Sequence, residues 1–496
     1  MFYKQDRALF TDLYELTMSQ GYFDMNMQNY EATFDLFFRS NPFNGGYTIA
    51  CGIQLALEYL SNFNFSEDDI NYLKKQDLFS EEFLEYLSKL KFSGKVEGVK
   101  EGSVMFPYIP IISVTGPIIE TQLIETALLN IINYSALIAT KAARIVNAAK
   151  GGKIIEFGLR RAQGDSAYIG VRAALVGGCI GTSFVQGGKI WDCPIIGTQA
   201  HSWIQAFNSE LESFKAYAEV FPDKCLLLID TYDVLKSGLP NAIKVAKFLQ
   251  EKGKDIVGVR IDSGDLAFLS VEVYREFKKA GFPNISIVLS NELDEFTINS
   301  IVYQILERGE SSKEELLHKE TISRLIYGVG TKLITGGNQS ALGGVYKLVA
   351  LNKEPRIKVS ENVTKTINPG IKKIWRIIDN DGKFLLDTIG LYDEKPPVTG
   401  EWVHHPIEHQ KKFCIPKGVS VEPLHILLIE DGKIEVDESF GDWRAAQRYC
   451  EEQLLHLDST YKRLLNPHIY KVSLTEKLFS LKINMIKKFS PQFLKS

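Results

Sequence analysis

The chain has 496 residues, 45% of them hydrophobic, so it is too long for one ordinary domain and can fill two or three hydrophobic cores. Its formal net charge of -4 at pH 7, with no basic stripe interleaved with aromatics, excludes nucleic acid as an expected partner. Charged side chains at the start and the lack of a long apolar run predict a cytoplasmic protein that contacts no membrane.

The cysteine and histidine patterns do not predict a metal site. The six cysteines form no C-x-x-C pair, which is typical of reduced thiols in a cytosol. His405 and His409 are four residues apart, but Pro406 between them disfavours a helix that would present both to one ion. We therefore assign no metal ligand among the side chains.

The first 135 residues predict an α/β domain of their own. Amphipathic helices are expected at residues 11–20 and 81–91, and a strand is expected at residues 32–38.

Between residues 150 and 350, short apolar runs end in Gly, Asp, Ser or Thr and precede helix-like stretches, which is the pattern of β/α units. Most intervening segments are long enough for crossover helices. We expect an α/β fold with an irregular (β/α) barrel over residues 136–351 and the first domain as an additional α/β sandwich. The eight runs are 153–158, 178–181, 194–198, 225–230, 256–262, 285–291, 325–330 and 344–351.

After residue 351 the pattern changes to short polar strands. Asp-Gly pairs at 381–382 and 431–432 lie between strand-like residues, which favours tight hairpin turns. We expect residues 352–496 to form short strands and helices that pack back on the other domains.

The segment 197–203, with the sequence GTQAHSW, contains the most informative side chain, His201. It follows a short apolar run, and Thr198 and Ser202 place hydroxyl groups nearby. An imidazole at the end of a buried strand can move a proton near neutral pH or accept a phosphoryl group on a ring nitrogen. A satisfied structural histidine is the alternative that this segment leaves open.

Charged residues end the first predicted barrel strand. Glu156 is followed by Arg160 and Arg161, and guanidinium groups bind phosphates and carboxylates through paired hydrogen bonds. The two interpretations are an anionic substrate and structural ion pairing.

Carboxylates recur at the ends of two further strands. Asp230 ends one run, and the next run ends in Arg260, Ile261, Asp262, Ser263, Gly264 and Asp265. Such carboxylates can accept hydrogen bonds from sugar hydroxyls, hold hydrated Mg²⁺ or stabilise a cationic centre. Ser263 and Asp265 could equally be helix N-caps.

Gly328, Gly330 and Thr331 follow another strand, and further glycines lie at 336–337. Backbone N–H groups left accessible by glycines can cradle a phosphate. The segment lacks the G-K-[ST] of a Walker A sequence, and Leu333 occupies the third glycine position of a dinucleotide motif. A phosphate-binding βα loop is the better interpretation.

Taken together, these blocks resemble the nicotinate phosphoribosyltransferase family, of the ATP-stimulated rather than the decarboxylating quinolinate type. The resemblance covers residues 11 to about 350 and a terminal block, whereas residues 352–460 contribute little. The similar blocks are 11–18 (TDLYELTM), 43–47 (FNGGY), 156–164, 197–203, 230–233, 258–266, 290–291, 328–331 and 466–473 (NPHIYKVS).

The resemblance implies transfer of phosphoribose from 5-phosphoribosyl 1-diphosphate to nicotinate, giving nicotinate mononucleotide in NAD biosynthesis. In the family, ATP hydrolysis is coupled to this transfer, Mg²⁺ binds the diphosphate, and the histidine that matches His201 becomes a phosphohistidine. The family's tyrosine that matches Tyr14 comes from a neighbouring subunit, which implies a homodimer with shared active sites.

The same resemblance implies a role for each matching residue. Tyr14, Arg160, Thr198 and Arg260 would surround nicotinate and the phosphates, and Gly328, Gly330 and Thr331 would hold the 5-phosphate. The expected catalytic residues are His201, Asp230, Arg260 and Asp262. The expected substrate-binding residues are Tyr14, Arg160, Arg161, Thr198, Ser263, Gly264, Asp265, Ser290, Asn291, Gly328, Gly330 and Thr331.

Four positions depart from the family pattern. Ile180 and Phe184 stand where the family has an acidic residue and an asparagine, and Ile109 and Ser113 stand where it has glutamate and arginine. These changes bear on subunit contacts, ligand affinity or ATP coupling more than on the reaction class. The alternatives are a nicotinamide-using relative and a catalytically silent nucleotide-binding barrel.

Overall fold

The computed structural model describes residues 8–310 and 314–489, which belong to two compact units. Unit 1 contains the chain up to Thr140 and from Ala341 onward, and unit 2 contains Lys141–Ser340. The division into domains 1–135, 136–351 and 352–496 remains a prediction.

The first part of unit 1 has the helices and the strand that residues 11–20, 81–91 and 32–38 predict. Ser66 and Ser80 cap two of the helices by accepting from backbone N–H groups of the first turn. The elements are α1 (Leu13–Asp24), β1 (Glu31–Phe38), β2 (Thr48–Ile49), α2 (Ile53–Ser61), α3 (Glu67–Lys74), α4 (Glu81–Lys89), β3 (Lys95–Gly98), β4 (Val104–Met105), β5 (Ile112–Pro117), α5 (Ile118–Leu123) and α6 (Glu125–Ala148), whose residues from Lys141 onward belong to unit 2.

Unit 2 alternates strands with helices, as the β/α pattern of the sequence predicts. Its elements are β6 (Lys153–Glu156), α7 (Ser166–Val176), α8 (Val185–Trp191), α9 (His201–Gln205), α10 (Glu210–Val220), β7 (Leu226–Leu228), α11 (Leu239–Glu251), β8 (Gly258–Ile261), α12 (Leu266–Lys279), β9 (Ser286–Leu289), α13 (Glu295–Glu310), α14 (Glu315–Arg324), β10 (Leu325–Val329) and α15 (Thr331–Ile334).

The strands of unit 2 form a parallel sheet in the order β6-β10-β9-β8-β7. Beyond β6 the pairing continues only as parallel bridges from Glu156 to Thr182 and from Thr182 to Ile195. The strands predicted at 178–181 and 194–198 are therefore reduced to isolated bridges. The mixed α/β class is confirmed, and closure of this sheet into a barrel stays a prediction.

The run at 344–351 forms a strand, but its predicted place in the barrel sheet is wrong. It forms β11 (Gly344–Leu351), which pairs antiparallel with β1 in unit 1. An apolar run indicates a strand but not its sheet, because the pairing partner is remote in the chain.

The second part of unit 1 contains the short strands expected after residue 351. Its elements after β11 are β12 (Glu354–Pro355), β13 (Lys372–Ile378), β14 (Phe384–Leu391), β15 (Trp402–His404), β16 (Lys412–Cys414), β17 (Ser420–Pro423), β18 (Ile426–Glu430), β19 (Lys433–Ile434), α16 (Trp443–His456), β20 (Lys471–Leu474) and α17 (Glu476–Phe489).

Two larger sheets organise unit 1. One has the order β12-β11-β1-β5-β3-β18-β19, and the other has the order β16-β15-β20-β14-β13-β17. Both predicted hairpins are confirmed, since β13 pairs antiparallel with β14 and β18 with β19. In the second turn, Asp431 and Gly432 have φ values of 48° and 72°, the left-handed conformation that Asp-Gly turns favour.

The segment Ile118–Ala148 is long and apolar enough to cross a membrane by length and composition alone. In its apolar window 67% is buried inside the protein, which is typical of a core helix.

Candidate active site

The carboxyl ends of the parallel strands in unit 2 bring several expected site residues together. β7 pairs in parallel with β8, and β8 with β9, so the residues after these strands emerge at one edge of the sheet. They include Asp230 after β7, Asp262 after β8 and Ser290 after β9. This edge is where parallel α/β sheets bind ligands.

Arg260 in β8 is held by three neighbouring side chains. Its Nε donates to Ser290 Oγ at 2.9 Å, and its Nη2 donates to Asp262 Oδ1 at 3.0 Å. Its Nη1 donates to Thr198 Oγ1 at 3.4 Å. The guanidinium plane is therefore fixed before any ligand arrives, which suits it to a planar anionic group.

Asp230 uses one carboxylate oxygen for the protein and leaves the other free. Its Oδ2 accepts from the backbone N–H of Asp262 at 3.0 Å and from Ser263 Oγ at 2.6 Å. Its Oδ1 is buried without a hydrogen-bond partner among the described residues. A buried, unpaired carboxylate oxygen is costly, so a ligand hydroxyl, a cationic centre or a hydrated cation would stabilise it.

His201 is the first residue of helix α9 and lies beside the same cluster. Its Nδ1 is 3.1 Å from Thr231 Oγ1, and its Nε2 is 4.0 Å from Asp262 Oδ2. The imidazole side chain is 43% exposed, so a phosphate donor can reach it. A nearby carboxylate favours the positively charged ring that forms when a ring nitrogen is phosphorylated.

Arg160 and Arg161 lie in a short 3-10 helix after β6 and are exposed. Across the described residues neither guanidinium has an ion-pair or hydrogen-bond partner, so structural pairing does not account for them. Glu156 instead accepts from Thr182 Oγ1 at 2.6 Å and from the backbone N–H of Gly158. Burial raises the pKa of Glu156, and these two hydrogen bonds offset part of the rise.

Phe157 is a site residue that the sequence interpretation missed. The Arg260 guanidinium carbon lies 5.8 Å from the centre of its ring. On another side, a Cβ at Gly328 would come within 2.4 Å of ring carbons of Phe157. The position of the Phe157 ring therefore requires a glycine at 328. This reason differs from the expected contact of Gly328 with a phosphate.

Gly330 connects β10 to the short helix α15, which begins at Thr331. A Cβ at Gly330 would lie 3.1 Å from the carbonyl oxygen of Phe157, so the backbones approach closely there. Gly336 and Gly337 have φ values of 71° and 61° in the following turn. Glycines in this segment leave backbone N–H groups accessible, which a phosphate cradle needs.

For Ser263 and Asp265, the sequence left open a role at the site or a role as a helix N-cap, and the two residues differ in this respect. Ser263 bonds to Asp230, whereas Asp265 is the N-cap of α12 and accepts from the N–H of Phe268 at 3.0 Å. Gly264 between them has a φ of 83°. Asn291 is exposed with a φ of 96°, a costly backbone conformation of the kind found at functional sites.

Tyr14 is the one expected site residue that lies in unit 1. It is on helix α1 with a residue exposure of 47%. Burial, then the Glu125 and Glu15 carboxyl groups, raise its pKa, so the phenol stays neutral at physiological pH.

The four departures from the family pattern have local partners. Ser113 Oγ donates to Asp35 Oδ1 at 2.7 Å, and Asp35 also pairs with Lys372 at 2.9 Å. Ile109 is fully buried, and the ring of Phe184 lies 4.9 Å from that of Tyr168. The N–H of Ile180 donates to the carbonyl oxygen of Ile154, which connects this segment to β6.

Within ranges 8–310 and 314–489, no group of three or more His, Cys, Asp or Glu could hold a metal ion.

Family models match nearly the whole described chain. The N-terminal domain model of nicotinate phosphoribosyltransferase matches residues 9–133, the family model matches 152–390, and the C-terminal domain model matches 371–482. The last match includes a region in which the sequence interpretation aligned little.

Individual relatives agree with the models. A nicotinate phosphoribosyltransferase of Bacillus subtilis (strain 168) is 40% identical over 97% of this chain and 95% of its own length. The Caenorhabditis elegans protein of that name is 37% identical over 95% of this chain and 92% of its own. A crystal structure of human nicotinic acid phosphoribosyltransferase has a TM-score of 0.80 at 30% identity, covering 96% of this chain and 99% of that chain. The chain therefore belongs to the nicotinate phosphoribosyltransferase family of enzymes.

Proposed function

We propose that this enzyme transfers phosphoribose from 5-phosphoribosyl 1-diphosphate to the ring nitrogen of nicotinate, coupled to ATP hydrolysis. The observation that carries the proposal is the cluster of Arg260, Asp262, Asp230 and His201 at one edge of the parallel sheet. It combines a fixed guanidinium, two carboxylates and an accessible imidazole.

The transfer needs little proton chemistry. The bond from the anomeric carbon to diphosphate breaks, diphosphate leaves with the electron pair, and the lone pair of the pyridine nitrogen forms the new bond. Positive charge develops on the ribose during this exchange. Asp230 and Asp262 would stabilise it electrostatically, because they are fixed and partly removed from water.

Recognition of nicotinate requires an aromatic surface and a cation. The guanidinium of Arg260 would pair with the nicotinate carboxylate, and the neighbouring ring of Phe157 would contact the pyridine. Tyr14 of a second subunit would supply the other ring. Arg160 and Arg161 would bind phosphate oxygens, as would the loop from Gly328 to Thr331, and Ser290 and Asn291 would line the same edge.

ATP would act through His201. A ring nitrogen attacks the terminal phosphorus of ATP, ADP leaves, and hydrolysis of the phosphohistidine completes the cycle. The exposed ring and the nearby Asp262 carboxylate support this role.

The residues at the site also fit Mg²⁺. Magnesium is usually held by one or two carboxylates together with substrate phosphates and water, and Asp230 Oδ1 and Asp262 Oδ2 are the available oxygens. When bound, the ion would neutralise charge on the departing diphosphate.

A homodimer with shared active sites follows from the proposed role of Tyr14. Helix α1 exposes Leu13, Tyr14 and Met18 by 56%, 47% and 39%, which supports a contact there with a second copy. We place the enzyme in the cytoplasm, where its proposed substrates occur.

The proposal is tested by measuring mononucleotide formation from 5-phosphoribosyl 1-diphosphate and Mg²⁺, with nicotinate, nicotinamide or quinolinate offered separately, each with and without ATP. Product from nicotinate alone, increased by ATP, is expected. Product from nicotinamide would reassign the chain to the nicotinamide-using relatives. Binding of the diphosphate substrate without product would indicate a catalytically silent barrel.

A further inference from the structure

Glu15 is a fully buried carboxyl group in helix α1, directly after two residues that face solvent. Its exposure is 0%, whereas Tyr14 and Leu13 beside it are 47% and 56% exposed. A buried carboxyl group is costly unless it is neutral or well hydrogen-bonded. Its contacts therefore decide how helix α1 is held.

Glu15 seats α1 on the beginning of helix α6. Its Oε1 accepts from the backbone N–H of Thr126 at 3.1 Å and lies 2.8 Å from Thr126 Oγ1. Thr126 is the second residue of α6, and the first N–H groups of a helix have no partner within it. On the other side, Oε2 contacts Thr11 Oγ1.

The hydrogens of this cluster do not suffice for an ionised Glu15. Thr126 Oγ1 is also 2.8 Å from Asp12 Oδ2, and Thr11 Oγ1 is 3.1 Å from the carbonyl oxygen of Leu123. These are five close contacts, but the two hydroxyls and the Thr126 N–H supply three hydrogens.

A proton on Glu15 Oε2 resolves most of this shortage. Glu15 then donates to Thr11, Thr11 donates to Leu123, the Thr126 hydroxyl donates to Asp12, and the Thr126 N–H donates to Glu15 Oε1. The remaining short contact joins two uncharged oxygens. The hydrogen count thus favours one added proton in this cluster, and Glu15 is its fully buried carboxyl group.

The charges around Glu15 act in the same direction. Burial raises the pKa of Glu15 to about 7 and the Glu125 carboxyl raises it further, whereas hydrogen bonding with Thr11, Thr126 and Tyr14 offsets part of the rise. The titratable groups around it are Asp12 at the N-cap of α1, Tyr14 on α1, Glu125 on α6 with Lys347 of β11 at 3.6 Å from it, Tyr59 on α2 and Tyr346 on β11.

We propose that Glu15 is a positioning residue that holds Tyr14 in place by seating helix α1 as a neutral carboxylic acid. This inference rests on the proposed function, because it takes Tyr14 as a ring that contacts nicotinate. Glu15 itself touches no substrate, so its effect is expected in KM for nicotinate and not in kcat.

The pH dependence follows from the raised pKa. A raised carboxyl pKa means that the neutral form contributes its stabilisation fully at low pH and loses it as pH rises through about 7. Between pH 7 and 8 the neutral fraction falls from about one half to about one eleventh, so KM for nicotinate should rise about fivefold.

The test compares KM and kcat for nicotinate at pH 6, 7 and 8 in the parent, Glu15→Gln and Glu120→Gln. The amide that Glu15→Gln introduces can donate to Thr11 and accept from Thr126 at every pH, so KM should stay near its pH 6 value. Glu120 is a matched control, because it is also buried with a raised pKa but accepts from Ser93, in the loop between α4 and β3. Its glutamine variant should keep the parent profile.

A rise in KM that persists in Glu15→Gln, or one that vanishes in Glu120→Gln as well, would overturn the proposal. If Glu15→Gln does not fold, amide hydrogen exchange of residues 13–24 in the parent gives the same test. After correction for intrinsic pH dependence, weaker protection at pH 8 than at pH 6 is expected, and equal protection overturns it.

Failure of the proposed function has a different signature. A parent that makes no mononucleotide from nicotinate at any pH refutes the proposed reaction, while hydrogen exchange still reports on Glu15. A parent that is active but has a constant KM from pH 6 to 8 refutes the role of Glu15 alone.

Discussion

Replacing Arg260 by lysine keeps a positive charge at the site and removes the planar fork that holds three side chains. The guanidinium donates from separate nitrogens to Ser290, Asp262 and Thr198. An ammonium group is a single point of charge and cannot reproduce this arrangement. The substitution therefore separates the effect of charge from that of geometry.

The expected loss follows from the hydrogen bonds. The contact with Thr198 is long at 3.4 Å, so the bonds to Asp262 and Ser290 dominate. A hydrogen bond to a charged group contributes about 1.5–3 kcal/mol, and lysine can retain one of the two. Loss of the other should lower kcat/KM by about 12-fold to 140-fold at about 1.4 kcal/mol per factor of ten, and a poorer fit to the nicotinate carboxylate adds to this loss.

The assay is steady-state formation of nicotinate mononucleotide at saturating ATP, with thermal unfolding as a check on folding. Arg260→Ala should lose turnover under all conditions. If the lysine variant keeps kcat/KM within a factor of three of the parent, the fixed fork is not what the reaction uses.

Three further substitutions test separate parts of the molecule. His201→Ala should fold and lose stimulation by ATP, and a variant that ATP still stimulates would refute the phosphohistidine assignment. Gly328→Ala should lower kcat/KM by about 5-fold to 140-fold, because displacing the Phe157 ring costs about 1–3 kcal/mol; Gly21→Ala, where a Cβ meets nothing within 4 Å, is the matched control. Asp387→Asn should lower the free energy of unfolding by about 3–5 kcal/mol in denaturant titration, because the carboxylate pairs with buried Arg376 at 2.8 Å; an unchanged midpoint would refute this.

The strand ends of unit 2 could be predicted because their signal is local. An apolar run that ends in a polar residue fixes both the strand and the place where its last side chain emerges, as at Asp230 and Asp262. Parallel pairing then brings these ends together without further information. The hydrogen bonds among Arg260, Ser290 and Thr198 depend on three remote segments, so the sequence indicated the participants but not the contacts.

Phe157 was missed, and the strand β11 was assigned to the wrong sheet, for a related reason. An aromatic residue directly after a buried strand is typical of a core, and only the positions of Arg260 and Gly328 give its ring a place in the site. β11 was correctly predicted as a strand, but its pairing with β1 is decided by contacts across most of the chain. In both cases the missing information was which remote residue lies opposite.

The charges that the protein leaves unmatched in unit 2 indicate what kind of ligand the site requires. Asp230 has a buried carboxylate oxygen without a partner, while Arg160 and Arg161 are cations without one in the described part of the chain. These opposite charges come from different strand ends and do not neutralise each other. A ligand that carries several phosphate charges and develops a positive centre on its sugar during reaction satisfies both sets, and a simple anion satisfies only the arginines. The distribution of unpaired charge thus favours a phosphoribosyl donor, whose sugar carbon becomes positively charged during reaction, over a phosphate ester that develops no such charge.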